Sequence, residues 1–293
     1  MKIEGCKNIL CTVSAGYSSM MMAINMKEWY PNHNIVYAFA NTGREDDRSL
    51  KFLDDCAKHY GLDIVYIEPI LNTTKGKGTK YKIVDFKDLD STGWFFELGI
   101  SIYGVPNVAN KWCNRDLKYT PMTKFCNDIF GVDNWSVALG IRIDEMDRFS
   151  ENYRTNNIFY PLVEHKIDSR ERNKFWANQP IKLELAAYEG NCTLCFEKSD
   201  RKRMTITKDY PKKAIWWNEM EKKYSTIQIE GKPQYNEIIE RDGGAYFGRK
   251  NRSIEWLIEQ AKKPFRRATD EYVYESDLFD AEDDCGSACQ VFK

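Results

Sequence analysis

The sequence predicts an α/β fold, in which a mostly parallel, twisted sheet carries helices on both of its faces. Two observations predict it. Short apolar runs alternate with helical patterns through the first third of the chain, as they do in βαβ units. These runs show little alternation between polar and apolar residues, which is typical of strands buried on both faces. With 293 residues, the chain is also long enough to bury a substantial core.

The predicted elements follow one another through the first half of the chain. Strands are predicted at residues 8–13, 35–40, 64–67 and 136–141, and helices at residues 20–30, 46–60, 90–103 and 115–130. In the second helix, Leu50, Leu53 and Ala57 share one face, which we expect to pack on the sheet. Because helices separate the strands, neighbouring strands should run parallel.

The regular alternation fades after about residue 150, and this change suggests two parts. Residues 1–150 form the predicted α/β domain. Residues 151–293 form a helical and irregular C-terminal region with a Cys-x-x-Cys pair, predicted helices at 214–223 and 253–262, and a tail that contains cysteine. The boundary between the two parts is soft.

Composition and charge narrow the class of protein. The formal net charge is −1, so no global field draws the chain to nucleic acid or to an anionic membrane. No apolar run approaches the roughly 20 residues that span a bilayer, and the N-terminus lacks the layout of a signal peptide. We therefore expect a cytoplasmic protein without a membrane partner. In that reducing compartment, the nine cysteines do not indicate a disulfide framework, and Cys11, Cys56 and Cys126 are expected to be core residues.

The loop between the first strand and the first helix has the composition of an anion-binding site. It consists of Ser14, Ala15, Gly16, Tyr17, Ser18 and Ser19. Small residues let backbone N–H groups curl around an anion, and the helix N-terminus adds unpaired donors. The loop would also lie at the carboxyl edge of the sheet, where ligands of such folds bind. A serine-rich helix cap is the alternative interpretation.

Four stretches in sequence order resemble one superfamily. They are the Ser-x-Gly-x-x-Ser loop, Asn41-Thr42-Gly43-Arg44-Glu45, the segment from Lys111-Trp112-Cys113 to Thr120-Pro121, and Gly140-Ile141-Arg142-Ile143-Asp144-Glu145 with Arg148 nearby. Together they resemble the adenine-nucleotide α-hydrolases, the PP-loop ATP pyrophosphatase superfamily. They look most like the phage and bacterial phosphoadenylylsulfate (PAPS) reductase-like proteins within it. The resemblance covers roughly residues 8–150, with a looser match from residue 190 onward.

The resemblance implies which residues bind the nucleotide. Besides the six residues of the loop, they are Asn41, Thr42, Gly43, Glu45, Gly140, Asp144 and Arg148. Arg115, Lys118 and Arg142 fall in the matched segments and are expected to hold the phosphate or sulfonate groups as catalytic residues. Glu45, Asp144 and Glu145 could hold Mg²⁺ with the phosphates or pair with these arginines. Ala15 and Ser18 stand where ATP pyrophosphatases usually carry Gly and Asp, which favours the reductase-like branch.

The Cys192-Thr193-Leu194-Cys195 segment predicts a metal centre, because two thiolates at this spacing can chelate one ion or bind one side of a cluster. It resembles the Cys-x-x-Cys of adenylylsulfate (APS) reductases, which holds a [4Fe-4S] cluster together with an upstream Cys-Cys pair. Here the upstream pair is reduced to Cys113, so that Cys289 is a candidate fourth ligand. A zinc or iron–sulfur site built from Cys192, Cys195, Cys285 and Cys289 is the alternative.

The C-terminal Asp284-Cys285-Gly286 resembles the segment that carries the nucleophile of sulfonucleotide reductases. The mechanism so implied is attack by the Cys285 thiolate on the sulfonate sulfur, which releases the nucleotide. A thioredoxin-type reductant or glutathione would then reduce the thiosulfonate.

The leading hypothesis is therefore an enzyme that binds ATP, APS or PAPS and acts at the α-phosphate or the sulfonate. A second is an ATP pyrophosphatase that adenylates an acceptor for sulfur transfer to a nucleic acid or nucleobase. A third is a nucleotide-binding regulatory protein without catalysis. A homo-oligomer stays open under each of them.

Overall fold

The computed structural model describes residues 7–74, 77–151, 153, 155–190 and 192–269. Its centre is a six-stranded sheet in the order β4-β3-β2-β1-β5-β6. The strands are β1 (Asn8–Val13), β2 (Asn34–Ala40), β3 (Ile64–Ile70), β4 (Lys80–Val84), β5 (Ser136–Ala138) and β6 (Ile158–Phe159). All neighbouring strands run parallel except β4, which is antiparallel to β3. The predicted α/β fold with a mostly parallel sheet is confirmed.

Helices connect and cover the strands. They are α1 (Tyr17–Trp29), α2 (Asp47–Tyr60), α3 (Trp94–Tyr103), α4 (Trp112–Asn114), α5 (Thr120–Phe130), α6 (Pro161–Glu164), α7 (Ser169–Ala177), α8 (Asp200–Asp209), α9 (Lys212–Tyr224), α10 (Pro233–Asp242) and α11 (Ile254–Lys262). A π-helical turn, Arg115–Tyr119, joins α4 to α5. None of the helices in the described ranges is both long and apolar enough to span a bilayer.

The starts of α1, α3 and α5 differ from the prediction for local reasons. Helix α5 begins at Thr120 and not at residue 115, because Arg115–Tyr119 form the π-helical turn. Helix α1 begins at Tyr17, before the predicted start at residue 20, because its N-cap is Gly16 inside the serine-rich loop. Helix α3 begins at Trp94 and not at residue 90. The Asp90 carboxylate there accepts N–H bonds from Thr92 and Gly93 at 3.2 and 3.0 Å, and this turn occupies the residues before the helix.

The sheet is buried on both faces, as the apolar runs predict. In β1, Ile9, Cys11 and Val13 belong to one apolar cluster, and Leu10 belongs to the cluster on the opposite face. Cys11, Cys56 and Cys126 are fully buried, which confirms their expected place in the core. Burial raises the pKa of Cys56 and of Cys126 to about 12, so these thiols remain protonated and unreactive near neutral pH.

The sheet continues past residue 150. Strand β6 pairs with β5, and Trp176 of α7 stacks on Tyr17 at a ring distance of 4.8 Å. A separate apolar cluster lies among α3, α8, α9 and α11 and includes Phe96, Trp217 and Phe247. The division into residues 1–150 and 151–293 stays a prediction.

Candidate functional site

Three loops meet at the carboxyl edge of the sheet. Strand β1 lies between β2 and β5, and each of these strands is followed by one of the segments identified in the sequence. Ser14 follows β1, Asn41 follows β2, and Gly140 comes two residues after β5. The chain order of the strands reverses at β1, and a crevice forms at such a point in open α/β sheets. The fold therefore brings the predicted nucleotide-binding segments to one place.

The serine-rich loop is folded by its own hydroxyl groups. The Ser19 hydroxyl accepts the Ser14 N–H at 3.0 Å, contacts the Ser14 hydroxyl at 2.9 Å, and donates to the Gly16 carbonyl at 3.1 Å. Ala15 has a φ of 56°, in the left-handed region. The N-cap of α1 is Gly16, without a side-chain cap hydrogen bond. The loop thus curls back on itself before α1 begins, and its role as a phosphate site stays a prediction.

The Gly140 segment packs against this loop at backbone distance. A Cβ atom at Gly140 would lie 2.7 Å from the Ser19 Cα and 3.0 Å from the Ser19 nitrogen. Two residues later, the Arg142 guanidinium donates from Nη1 to the Ser18 hydroxyl at 2.9 Å. Arg142 is only 4% exposed. The Gly140 segment and the serine-rich loop are thus in direct contact.

Replacement of Gly140 by alanine should push the segment after β5 away from the serine-rich loop. The added methyl group meets Ser19 backbone atoms, which cannot move aside as a flexible side chain can. We expect a loss of about 1–3 kcal/mol in the free energy of unfolding and weaker nucleotide binding, measured by denaturant unfolding and by calorimetric titration. Gly190→Ala is the matched control, because the nearest atom to its Cβ is 4.0 Å away. Equal stability of the two variants would contradict the close approach.

The acidic residues near the serine-rich loop, Asp144 and Glu145, pair with arginines. Asp144 contacts the Arg142 Nε at 2.9 Å, and Glu145 contacts the Arg142 Nη1 at 3.1 Å and also pairs with Arg148. Burial by itself would raise the pKa of Asp144, but hydrogen bonds from Arg142 outweigh it and lower that pKa. Of the two roles left open by the sequence, ion pairing is the one these contacts display. The Mg²⁺ role stays a prediction.

The second loop is held by buried polar contacts. The Asn41 amide is fully buried, donating to Glu68 at 2.7 Å and accepting the Gly43 N–H at 2.9 Å. The Glu45 carboxylate accepts the N–H of Thr42 at 3.1 Å and the Thr42 hydroxyl at 2.7 Å. Asn41 and Glu45 therefore shape the loop, whereas Thr42, which is also buried, lines a cavity.

This cavity contains the cysteines of interest. Its cavity volume is about 30 Å³, inside an envelope of about 450 Å³ that includes space open to solvent, and it is lined by Thr42, Phe96, Lys111, Cys113, Asn114, Lys118, Cys192, Cys195, Phe196, Glu197, Trp217 and Phe247. The structure thus places Cys113 on the same cavity as the Cys192–Cys195 pair, which follows it about eighty residues later in the sequence. Lys118 lines the same cavity, five residues after Cys113. Lys118 belongs to the π-helical turn Arg115–Tyr119. Such a turn has a wider repeat than an α-helix and is frequent at functional sites.

The Cys-x-x-Cys loop is hydrogen-bonded to the loop that follows β2. The Thr42 hydroxyl lies 3.2 Å from the Cys192 Sγ. The Thr193 N–H and hydroxyl both donate to the Arg44 carbonyl, at 3.1 and 3.3 Å. The Arg44 guanidinium in turn lies 4.4 Å from the centre of the Trp216 ring.

Arg115 is placed differently from Lys118. Its guanidinium pairs with Asp116 at 2.6 Å and lies 5.7 Å from the Tyr103 ring centre, and it is not among the residues that line the cavity. Its predicted catalytic role stays a prediction. Sequence reasoning missed Lys111 and Asn114, which line the cavity and lie inside the matched segment beside Cys113. It also missed Lys198, for which no motif gave a signal.

Two of the predicted metal-centre cysteines, Cys285 and Cys289, lie outside the described residues. Within the described part of the chain, no three His, Cys, Asp or Glu side chains are grouped so as to hold a single metal ion. The cysteines of a [4Fe-4S] cluster need not meet at a single point, because each cysteine binds a separate iron atom.

A buried acid supports the far wall of the cavity. Glu221 is 3% exposed and accepts the N–H groups of Phe247 and Ile254 at 2.6 and 2.7 Å. Burial raises the pKa of Glu221 to about 7 against the opposing effect of these N–H bonds. Phe247 lines the cavity and stacks on Trp217 at a ring distance of 4.0 Å.

Glu221 should make the stability of the fold depend on pH. Its pKa is 4.5 when exposed and about 7 here, so the folded chain binds one more proton than the unfolded chain between these values. The free energy of unfolding should therefore fall as pH rises through this window, by at most about 1.4 kcal/mol per unit. Glu221→Gln cannot titrate and should lack this contribution. Urea unfolding of both proteins at about pH 5, 6 and 7 measures this difference. The same pH dependence of the free energy of unfolding in both proteins would contradict the prediction.

Comparisons with known proteins add the following. No known family profile matches the chain. The uncharacterized nin region protein ORF290 of Escherichia phage lambda is 27% identical over 179 residues, which are 60% of this chain and 61% of that protein. The chain thus matches less than two thirds of that relative's length. Among solved structures, the U34-tRNA thiolase NcsA from Methanococcus maripaludis with its [4Fe-4S] cluster aligns with a TM-score of 0.39 and 17% identity, over 99% of this chain and 82% of that chain.

Proposed function

We propose that this chain is an adenine-nucleotide enzyme that acts at the α-phosphate or sulfonate of its ligand, with a thiolate-bound iron–sulfur centre beside the nucleotide. The observation that carries the proposal is the contact between the loop after β2 and the Cys-x-x-Cys loop. Thr42, which follows β2 at the crevice, lies 3.2 Å from the Cys192 Sγ. In the proposed arrangement, a ligand with its phosphates in the serine-rich loop extends toward Thr42, and its reacting end lies near the cysteine cavity.

The chain offers separate groups for binding and for charge stabilisation. The N–H groups of the first turn of α1 would bind phosphate oxygens, because they have no partner within the helix. Arg142, held against Ser18 at 2.9 Å, would neutralise part of their charge. Lys118 lines the cysteine cavity and would face the charge that develops at the reacting group.

The donor set of the cavity suits soft metal chemistry. The same cavity is lined by Cys113, Cys192 and Cys195. Thiolates are ligands that favour the binding of iron–sulfur clusters or zinc. These three would hold a [4Fe-4S] cluster with a fourth ligand from outside the described residues, for which Cys289 is the candidate. When bound, such a cluster supplies electrons or an electrophilic iron atom next to the substrate.

A sulfonucleotide reductase is the function we favour within this class. APS or PAPS would bind with its sulfonate toward the cavity, and the Cys285 thiolate would displace the nucleotide from sulfur. Two electrons from a dithiol reductant would then release sulfite and restore the thiol. An ATP pyrophosphatase would use the same loop but would break the bond between the α- and β-phosphates of ATP.

Anaerobic assays with each nucleotide test the proposal. The purified chain is incubated with ATP, APS or PAPS, with and without thioredoxin, and sulfite, AMP and pyrophosphate are quantified. Release of sulfite that depends on the dithiol supports the reductase. Release of AMP and pyrophosphate from ATP with an added nucleic acid supports the pyrophosphatase instead. Tight binding without turnover would indicate a regulatory protein, and the absence of binding to every nucleotide would overturn the proposal.

A further inference from the structure

Lys198 is a buried cation that holds the Cys-x-x-Cys loop. Lys198 is only 1% exposed. The Nζ atom donates to the carbonyl oxygens of Gly190 and Cys192, the latter at 3.2 Å. Among the described residues, both hydrogen-bond partners of the ammonium are neutral, and burying an ammonium with neutral partners alone is costly. Its position suggests that a negative charge is present nearby in the functional state.

Arg203 is a second buried cation near the same loop. It is fully buried, and within the described residues none of its three guanidinium nitrogens has a hydrogen-bond partner. The Asp200 carboxylate is 3.7 Å away but is bound to Arg252 at 2.5 Å. The guanidinium lies 5.7 Å from the centre of the Phe247 ring, and Phe247 packs edge-on against Phe196, beside Cys195. Gly248 admits the guanidinium, since a Cβ there would lie 2.8 Å from Nη1.

The carboxylates near these two cations are already engaged. Asp200 is shared between Arg203 and Arg252, and Glu221, the other acid that acts on Arg203, accepts two backbone N–H bonds. The Glu197 carboxylate, next to Lys198 in sequence, is paired with Lys111 at 3.1 Å. Thiolates at Cys192 and Cys195 would place negative charge beside both cations.

We propose that Lys198 and Arg203 form a buried cationic base under the Cys192–Cys195 loop, and that this base stabilises the two thiolates when they bind iron. Both are positioning residues, since they act through the cysteines and need not touch a substrate. The inference rests on the proposed function only in its assumption that the loop binds iron. It is independent of which nucleotide the enzyme uses.

Substitution at Lys198 separates charge from packing. Lys198→Met removes the charge and keeps an unbranched side chain, whereas Lys198→Arg keeps the charge. Lys213→Met is the matched control, because the hydrogen bonds of the Lys213 ammonium to the described residues go to the carboxylates of Asp46 and Glu189 and not to Cys192–Cys195. Each chain is reconstituted anaerobically with ferrous iron and sulfide. The rate of iron loss to a ferrous chelator and the reduction potential of the bound iron are then measured, with thermal unfolding of the metal-free chains alongside.

The inference predicts a specific pattern. Lys198→Met should lose iron at least about tenfold faster than wild type, the fold-change expected when one nearby charge worth about 1.4 kcal/mol is removed. Its potential should shift to a more negative value, because reduction adds negative charge. Lys198→Arg should recover most of both properties, and Lys213→Met should match wild type. Arg203→Met should act in the same direction as Lys198→Met.

Several results would overturn the inference, and they differ from a failure of the proposed function. Equal iron loss and equal potentials in Lys198→Met and wild type would overturn it, even if nucleotide turnover is observed. So would failure of Lys198→Arg to rescue, which would indicate a packing role, or a wild-type chain that takes up no iron. If the Lys198 pattern is found while no nucleotide is bound or converted, the inference stands and the proposed nucleotide function fails.

Discussion

Replacing Cys192 by alanine is expected to remove most of the iron and sulfide that the wild-type chain retains after anaerobic reconstitution. Cys192 lines the cavity together with Cys113 and Cys195, and a cluster that loses one of its thiolate ligands is exposed to hydrolysis and oxidation. Wild type should hold about four irons and four sulfides per chain if the site is a [4Fe-4S] centre. Any nucleotide-dependent sulfite release should be lost with them.

The core cysteines provide the controls for this experiment. Cys56 and Cys126 are fully buried, and burial raises the pKa of each to about 12. Alanine at either position should reduce the free energy of unfolding by roughly 1–2 kcal/mol and leave the iron content unchanged. Iron and sulfide analysis with a visible spectrum distinguishes the two classes. Equal iron content in Cys192→Ala and Cys56→Ala would remove the metal centre from the proposed function, and stoichiometric zinc would replace iron in it.

Cys113 allows a more detailed version of the same test. It is half-buried and comes from a different part of the chain than the Cys-x-x-Cys pair, yet it lines the same cavity. If it is a ligand, Cys113→Ala should lose iron to the same degree as Cys195→Ala. If only the Cys-x-x-Cys pair binds metal, Cys113→Ala should keep its metal.

The strands that the sequence predicted well are those with continuous apolar runs. Strand β1 has the predicted bounds, and β2 begins one residue earlier than predicted, because both are covered on both faces. Strand β4 was missed because it is an edge strand with Lys80 exposed and Ile83 57% exposed, so that no buried run marks it. Strand β6 has only two residues, too few for any periodicity to show.

The candidate site divides in the same way. Motif order placed the serine-rich loop, the Asn41 segment and the Gly140 segment at consecutive strand ends, and parallel topology then brings them together. Charge pairing was not predictable to this extent. Arg115 pairs with its neighbour Asp116, whereas Arg142 reaches Ser18 across 124 residues of sequence. The burial of Lys198 depends on how the loop after Cys195 turns back on itself, which composition does not reveal.

Replacing Arg142 by alanine should weaken nucleotide binding more than any other single change at the phosphate loop. Its guanidinium is 4% exposed, contacts Ser18 at 2.9 Å and pairs with Asp144 and Glu145. A hydrogen bond to a charged group contributes roughly 1.5–3 kcal/mol, so the affinity for ATP or PAPS should fall about 10- to 150-fold. The loss of Arg142 as a partner of Asp144, while Glu145 keeps Arg148, adds to this effect by leaving more negative charge beside the phosphates. Arg142→Lys, which keeps the charge but not the fork, should fall between wild type and alanine.

Two comparisons show whether this loss comes from the phosphates. Arg241→Ala is the matched control, because its guanidinium side chain is 73% exposed and pairs with Asp242 on the surface. It should bind as wild type does in the same calorimetric titration. Adenosine is the matched ligand, because it lacks phosphate. Arg142→Ala and wild type should therefore bind adenosine equally weakly, while their affinities for ATP differ. A loss of equal size for adenosine and ATP would mean that Arg142 supports the loop through Asp144 and Glu145 without binding phosphate.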